Sequence, residues 1–311
     1  MTQPVVSFLI PTYNAGKIFS ECLKAISDLN YPKNKIEILV ADGGSSDGTV
    51  DAAEKYGAIV LDNPRRTAEY GKRIAFDYSS GDVIVLLDSD NVIASSDWLT
   101  SMLLPLSQRD VIGVESNYLI AKNFTSLNTY ANLLIIVDPV ARKLAPKPIA
   151  TRAESGYIIK KFAIGSNPVG GANGFLWRRS AIKDLVKEND NLNEVRLLGQ
   201  KAREGEVSIG NIPAVGIYHY YCEGLADYIS KRKKIASKHL ERATSEETWV
   251  KKGGRLRLVF AVLYSATIVG PTVEAVVNII KSRNIHWLWH PLISILTVNI
   301  YAAAYIKEKM L

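Results

Sequence analysis

The chain has 311 residues, with 38 Lys and Arg against 31 Asp and Glu for a formal charge of +7, and 47% of its residues are hydrophobic. That is enough apolar material for one large or two small domains. Its two cysteines, Cys22 and Cys222, exclude a disulfide framework and fit a reducing, cytoplasmic setting. The basic excess gathers between Lys231 and Arg257, just ahead of the most hydrophobic stretch, which points to a membrane surface and away from nucleic acid.

MTQPVVSFLIPTYN breaks at Pro11 and has no basic region before a long apolar one, so no signal peptide is expected. Residues 5–10 read as a buried strand, with Asn14 as the N-cap of a helix that carries Ile18, Cys22, Ile26 and Leu29 at helical spacing. IEILVAD, residues 36–42, supplies a second strand. The turn GGSSDGT leads to a helix through Ala52, Ala53 and Tyr56, and AIVLDNP gives a third strand. GDVIVLLDSDN, residues 81–91, is a fourth, apolar until it meets Asp88 and Asp90. Short apolar strands alternating with amphipathic helices specify a largely parallel sheet with helices on both faces.

Beyond Trp98 the pattern loosens. Residues 111–120 read as a strand and 125–137 as a helix, and the basic region to Gly165 places no element. GGANGFLWRRSAI, from Gly170, suggests a Gly-rich loop, an apolar segment and a helix start. Residues 193–205 read as a helix, and VSIGNIPAVGIYHYY as a strand pair ending near His219. GLADYISKRKKIASKHLER has Leu225, Tyr228, Ile229, Ile235, Ala236, His239 and Leu240 near one face and Lys231, Arg232, Lys233 and Lys238 largely elsewhere, the pattern of an interfacial amphipathic helix.

Residues 256–280 and 285–306 are each apolar enough, and at ~1.5 Å per residue long enough, to cross the roughly 30 Å of a bilayer core. Trp287 and Trp289 open the second run, and Tyr301 and Tyr305 lie near its end. The expectation is a transmembrane hairpin with both ends cytoplasmic, from Lys251, Lys252, Arg255 and Arg257 before it and Lys307 and Lys309 after it. The rival is a pair of helices lying in the interface, since Gly270-Pro271 would kink the first run and Glu274 is costly in hydrocarbon. Glu274 would be easier to house at a subunit contact, so a homo-oligomer is also an expectation. The domains expected are a catalytic domain over 1–222, a basic interfacial segment over 223–255 and the helical hairpin over 256–311.

Asp42, Asp47, Asp88 and Asp90 all follow strands, and carboxylates crowded at one sheet edge need a cation or hydrogen-bond donors. Oxygen ligands of this kind suit Mg²⁺ or Mn²⁺ bridging phosphates, and a polar turn is the plain alternative. Four pieces in this order, Pro11-Thr12-Tyr13-Asn14, VADGGSSDGT, Asp88-Ser89-Asp90 and GGANGFLWRRSAI, resemble the family 2 glycosyltransferases, inverting enzymes of the GT-A fold. The resemblance covers residues 5 to about 205. It implies a nucleotide-sugar donor, UDP- or GDP-linked, and a Mn²⁺ or Mg²⁺ ion. Asp42 would read the nucleotide base with Pro11 and Tyr13 lining its pocket, Asp88 would sit near ribose and metal, and Asp90 would ligate the metal, joined by His219. Arg65 and Arg66 could reach the phosphates. Where relatives show Glu-Asp before a leucine-rich helix, this chain has Asn193-Glu194. Glu194 is therefore the best match for the catalytic base and Asp190 the second.

A polyprenyl phosphate is already anionic and needs no base, so that departure leans toward a lipid-phosphate acceptor over a lipid-linked glycan. Gly171, Asn173, Lys231 and Arg232 are the acceptor-binding candidates, Lys231 and Arg232 with Lys233 at the cytoplasmic membrane surface. The Gln-x-x-Arg-Trp signature of processive polysaccharide synthases is missing, which implies single transfer. A sugar nucleotidyltransferase would show a Gly-rich basic loop where this chain has PTYNAGK, and a dehydrogenase would open a helix with G-x-G-x-x-G. A non-catalytic membrane-tethered scaffold is the remaining rival.

Overall fold

The structure, a computed structural model, describes residues 3–135, 138–168, 173–187, 190–243 and 254–310. It has two compact units: Met1–Leu119 with Pro146–His219, and Ile120–Ala145 with Tyr220–Leu311. The segment 120–145, expected within the catalytic domain, thus clusters with the C-terminal helices.

In the first unit β1 (Val6–Thr12) is buried throughout. Its side chains alternate between two apolar layers: Phe8 and Ile10 join Phe19, Leu23 and Trp98 on one face, and Leu9 joins Leu39, Phe76 and Trp177 on the other. A strand covered on both faces explains the largely apolar run, in which Ser7 is the buried polar exception. α1 (Gly16–Ser27) buries Phe19, Cys22, Leu23 and Ile26. β2 (Ile36–Asp42), α2 (Thr49–Lys55), β3 (Ile59–Asp62), α3 (Ala68–Tyr78) and β4 (Val83–Leu86) complete the alternating region. Thr67 caps α3 by accepting from the Tyr70 amide. Asn14 is not the cap of α1. It lies at φ 48° and its side chain accepts from Ser46 N, while Asp47 and Thr49 take the helix's first amides, Gly16 N and Ala15 N.

β5 (Asn91–Ile93), α4 (Trp98–Leu103) and β6 (Val111–Leu119) follow. α5 (Ser126–Leu133) and α6 (Pro139–Leu144) belong to the second unit. β7 (Ala150–Ala153), β8 (Ile158–Phe162), β9 (Phe175–Arg178), α7 (Arg179–Lys187), α8 (Glu194–Glu204) and β10 (Val207–His219) return to the first. The sheet order is β3-β2-β1-β4-β9-β6-β10-β8-β7, with β5 on β10. β3, β2, β1 and β4 are parallel; β9 runs antiparallel between β4 and β6, and β10 runs parallel to β6. The carboxyl ends of β1, β2, β4, β6 and β10 therefore share one edge, where ligands of open α/β sheets gather.

Two expectations change here. Residues 207–219 form one strand and not a pair: the register on β6 shifts between Asn211 and Gly216, so residues 212–215, Pro213 among them, sit in a bulge and not in a hairpin turn. The unplaced basic region contains the β7–β8 hairpin.

The second unit is helical, with α9 (Leu225–Ala243), α10 (Gly254–Ala266), α11 (Val269–Ser282) and α12 (Trp289–Met310). The run expected as one span, 256–280, is two helices bent by 80° at a short break, whereas 285–307 is long and apolar enough to cross a membrane. Lys251 and Lys252, part of the charge argument for orientation, lie outside the described residues. Two carboxylates, Asp138 buried and Glu274 partly buried, organise this unit. Asp138 caps α6 through Val140 N and Ala141 N, pairs with Arg232 Nη1 at 3.1 Å and accepts from Tyr301 Oη at 2.6 Å. Glu274 finds its partners within the chain, in Arg142, Lys143, Tyr264 and His290.

Candidate active site

The carboxyl edge of the sheet begins with Thr12 and Asp42, paired at the ends of β1 and β2. Asp42 is buried, and its two oxygens accept from Thr12 Oγ1 at 2.9 Å, from the Ser45 hydroxyl, and from Gly44 N and Ser45 N at 2.8 Å each. Burial alone would raise this carboxyl; the hydrogen bonds from Ser45, Thr12 and Gly44 outweigh it and hold it below the ordinary aspartate value. A carboxylate has about four acceptor directions, so those of Asp42 are taken by the turn that follows β2. Beside it Tyr13 is exposed, with the Arg66 guanidinium 5.3 Å from its ring centroid. Gly44, at φ 83°, takes the left-handed turn that brings its amide to Asp42.

Asp88 follows β4, and its Oδ1 lies 3.0 Å from Lys72 Nζ. Lys72 belongs to the buried stripe of α3, Gly71, Lys72, Ala75 and Phe76. The same ammonium lies 3.3 Å from Glu194 Oε1, at the first turn of α8 behind the Asn193 cap. Burial would lower Lys72; Asp88 and Glu194 outweigh it, so the cation is kept. Burial pushes the Glu194 carboxyl above the usual glutamate range while Lys72 pulls it back. The helix N-terminus also favours the anion. Glu194 Oε2 is buried without a hydrogen-bond donor among the described residues.

Asp90 stands one turn residue further on. Its Oδ1 accepts from Asn91 Nδ2 at 3.0 Å and lies 3.7 Å from His219 Nε2, at the end of β10. The His219 ring packs 5.1 Å from that of Tyr118, whose hydroxyl accepts from Asn173 Nδ2 at 2.9 Å. Asn173, at φ 48°, in turn accepts from Asn91 at 3.4 Å. Among the described residues no three His, Cys, Asp or Glu side chains converge as a complete cation site. Asp90 and His219 alone offer one oxygen and one nitrogen donor, which fits an ion that takes its other ligands from a diphosphate.

The sequence candidates thus separate. Asp88, Asp90, Glu194, His219 and Asn173 come together; Pro11, Tyr13, Asp42 and Arg66 form a neighbouring group around the β1 and β2 ends. Asp190 is exposed on the surface, 3.8 Å from Arg65, whose guanidinium stacks on Tyr70. That solvated position does not suit a base. Gly171 lies outside the described residues. Arg232 is buried in the second unit, paired with Asp138 and donating to Tyr221 Oη at 2.8 Å, so it is not open to a phosphate in solvent. Lys231 donates to the Tyr221 carbonyl and pairs with Asp227 at 3.5 Å. Lys72, Tyr118 and Asn91 were missed. For Lys72 the available signal was a lysine in step with the apolar face of an amphipathic helix.

The family profile described as Glycosyl transferase family 2 matches residues 7–185. Glycosyltransferase AglE of Haloferax volcanii is 34% identical over 95 residues, 29% of this chain and 31% of the relative. The probable glycosyltransferase YdaM of Bacillus subtilis is 41% identical over 98 residues, 28% of this chain and 23% of the relative. The matched stretches therefore span less than a third of these relatives. Among solved structures, the mannosyltransferase PcManGT from Pyrobaculum calidifontis, in complex with GDP-Man and Mn²⁺, superposes with a TM-score of 0.58 at 16% identity, covering 99% of this chain and 87% of that one. Residues 1–349 of S. aureus TarS superpose with a TM-score of 0.50 at 14% identity, covering 98% and 91%. At these identities the likeness is one of fold, the GT-A-like arrangement of a mostly parallel sheet flanked by helices.

Proposed function

Because the chain belongs to glycosyl transferase family 2, we propose that it transfers a single sugar, with inversion, from a UDP- or GDP-linked donor to a hydroxyl of a lipid-linked glycan at the cytoplasmic face of a membrane. The observation that carries this reading is the largely buried Glu194, with one oxygen on Lys72 and the other, itself buried, without a donor among the described residues, beside Asp88, Asp90 and His219. An acceptor that brings an O–H supplies the missing donor. A polyprenyl phosphate, already ionised, would set a second anion against Glu194.

The acceptor oxygen attacks the anomeric carbon, the bond from that carbon to the phosphate oxygen breaks with its electron pair going to the diphosphate, and the acceptor proton passes to Glu194 Oε2. One displacement inverts the centre. Lys72 compensates the charge of Glu194 and Asp88, and Tyr118 and Asn91 hold Asn173 at the sheet edge. Mn²⁺ or Mg²⁺ held by Asp90 and His219 would supply Lewis-acid stabilisation to the diphosphate leaving group. Arg66 over Tyr13 is placed for the nucleotide side, while Asp42 acts through the turn that it ties together.

A donor screen tests this, with purified protein, Mn²⁺ or Mg²⁺, labelled UDP-, GDP- and dTDP-sugars, and either lipid-linked glycan or polyprenyl phosphate. Transfer to the glycan, abolished in Asp90→Ala and reduced about 10²- to 10⁴-fold in Glu194→Gln, is expected. Transfer to polyprenyl phosphate with little loss in Glu194→Gln would replace the hydroxyl acceptor. Neither transfer nor nucleotide release with any donor would return the scaffold reading.

A further inference from the structure

Arg142 and Lys143, in the last turn of α6, reach the same carboxylate. Arg142 Nη1 lies 2.7 Å from Glu274 Oε1, and Lys143 pairs with Oε2, which also accepts from Tyr264 and faces His290 Nε2 at 3.5 Å. Their side chains are 31% and 34% exposed, against 17% for Glu274. One carboxylate cannot neutralise two cations. A guanidinium has five donors, and among the described residues Arg142 spends one, on Glu274. Its plane sits 5.1 Å from the Trp287 ring centroid and Lys143 Nζ sits 4.1 Å from that of Tyr264, so both heads are held in place.

The surroundings are apolar and open. Phe260, four residues before Tyr264 on α10, is 73% exposed, and Val277, three residues after Glu274 on α11, is 40% exposed. At helical spacing they continue the two stripes that carry Tyr264 and Glu274. Residual positive charge with unspent planar donors, bordered by exposed hydrocarbon, matches an amphiphile with an anionic phosphate head. Arg232, expected from the sequence to do this, has its charge answered by Asp138.

We propose that Arg142 and Lys143, fixed by Glu274, bind the phosphate of a lipid carrier, with Phe260 and Val277 against its chain. The proposal rests on the reading that the acceptor is lipid-linked. The test uses the full chain and phosphatidylcholine vesicles containing either a polyprenyl phosphate or the matching polyprenol. Wild type should bind the phosphate vesicles at least ~10-fold more tightly, as charge-assisted bonds imply. R142Q/K143Q should lose that preference, and K183Q/K187Q, the same charge change on exposed lysines of α7, should keep it.

Because the first variant leaves Glu274 only Tyr264 and His290 as partners and could unfold, Lys143 acylation in wild type gives a second measure. Polyprenyl phosphate should slow it several-fold, and polyprenol and inorganic phosphate should not. Equal binding to both vesicles, or equal protection by inorganic phosphate, overturns the lipid site. Protection without transfer to a lipid-linked glycan leaves the site standing and removes the acceptor assignment, whereas transfer without protection removes the site alone.

Discussion

Two carboxylates as near one ammonium as Asp88 and Glu194 are to Lys72 lose their compensation when that charge goes. Lys72→Met should destabilise the fold by about 3 kcal/mol, the low end for breaking a buried pair because Asp88 is about one-third exposed and partly screened by water. Lys72→Arg should recover most of it. The pH dependence has a definite sign. The folded value of Glu194 lies above its unfolded value, so its contribution to stability is fully present below the unfolded value and is lost as pH rises through the folded one. In the proposed role of base Glu194 must be ionised, so activity should appear only above that same raised value. With Lys72 removed the carboxyl rises further, so the acid limb of kcat against pH should move up in Lys72→Met and stay in place in Lys72→Arg. An unmoved limb in the methionine variant would take Glu194 out of the role of base. Asp42 has the opposite sign: its value is held down, and its contribution is present above the unfolded aspartate value and disappears as pH falls through the folded one.

At the scale of elements, β6 can approach β9 because position 113 has no side chain. A Cβ there would lie 2.2 Å from Phe175 Cε1 and 2.7 Å from the Leu176 carbonyl, one of them rigid backbone. Gly113→Ala should cost about 1–3 kcal/mol, read as a lower urea midpoint with an unchanged m value. In the second unit Asp138→Asn strands the buried Arg232 charge and should cost about 3–5 kcal/mol in thermal or denaturant unfolding. β1, β2 and β4 were legible in the sequence because burial on both faces leaves a largely apolar run, interrupted only by single polar residues such as Ser7 and Glu37, a local signal. β7 was not, since all four of its residues are exposed and nothing in its pattern reports the partner strand. Residues 120–145 join the C-terminal helices through contacts such as Asp138 with Arg232, 94 positions apart, which no window along the chain can see. The site divides in the same way: Asp88, Asp90, Glu194 and His219 stand beside readable strand or helix ends, whereas Lys72 resembles a surface lysine until its two carboxylates arrive from distant segments.

At the scale of the whole molecule, the apolar C-terminal helices carry the expectation of a membrane seat. α10 and α11 have 13 and 14 residues, about 20 Å each at 1.5 Å per residue, and the 80° bend keeps them from adding up to one straight crossing of roughly 30 Å. α12 is long enough, yet its inward face mixes polar side chains with Ile293 and Ile300. His290, Ser294 and Thr297 are buried, and Tyr301 donates to Asp138 beside Arg232. α9, packed on α12, carries Lys233 and Lys234 exposed to solvent immediately after Arg232. Placing those lysines at the centre of hydrocarbon would cost about 2.5–3.5 kcal/mol each on insertion scales. A seat in the interface avoids that cost, with Phe260, Val273, Ile280 and Leu292, all exposed, entering one leaflet. Alkaline carbonate should therefore release the full chain from membranes into the supernatant, and high salt should weaken its binding to anionic vesicles. Retention in the carbonate pellet would instead establish α12 as a span and place the Asp138–Arg232 pair within the bilayer.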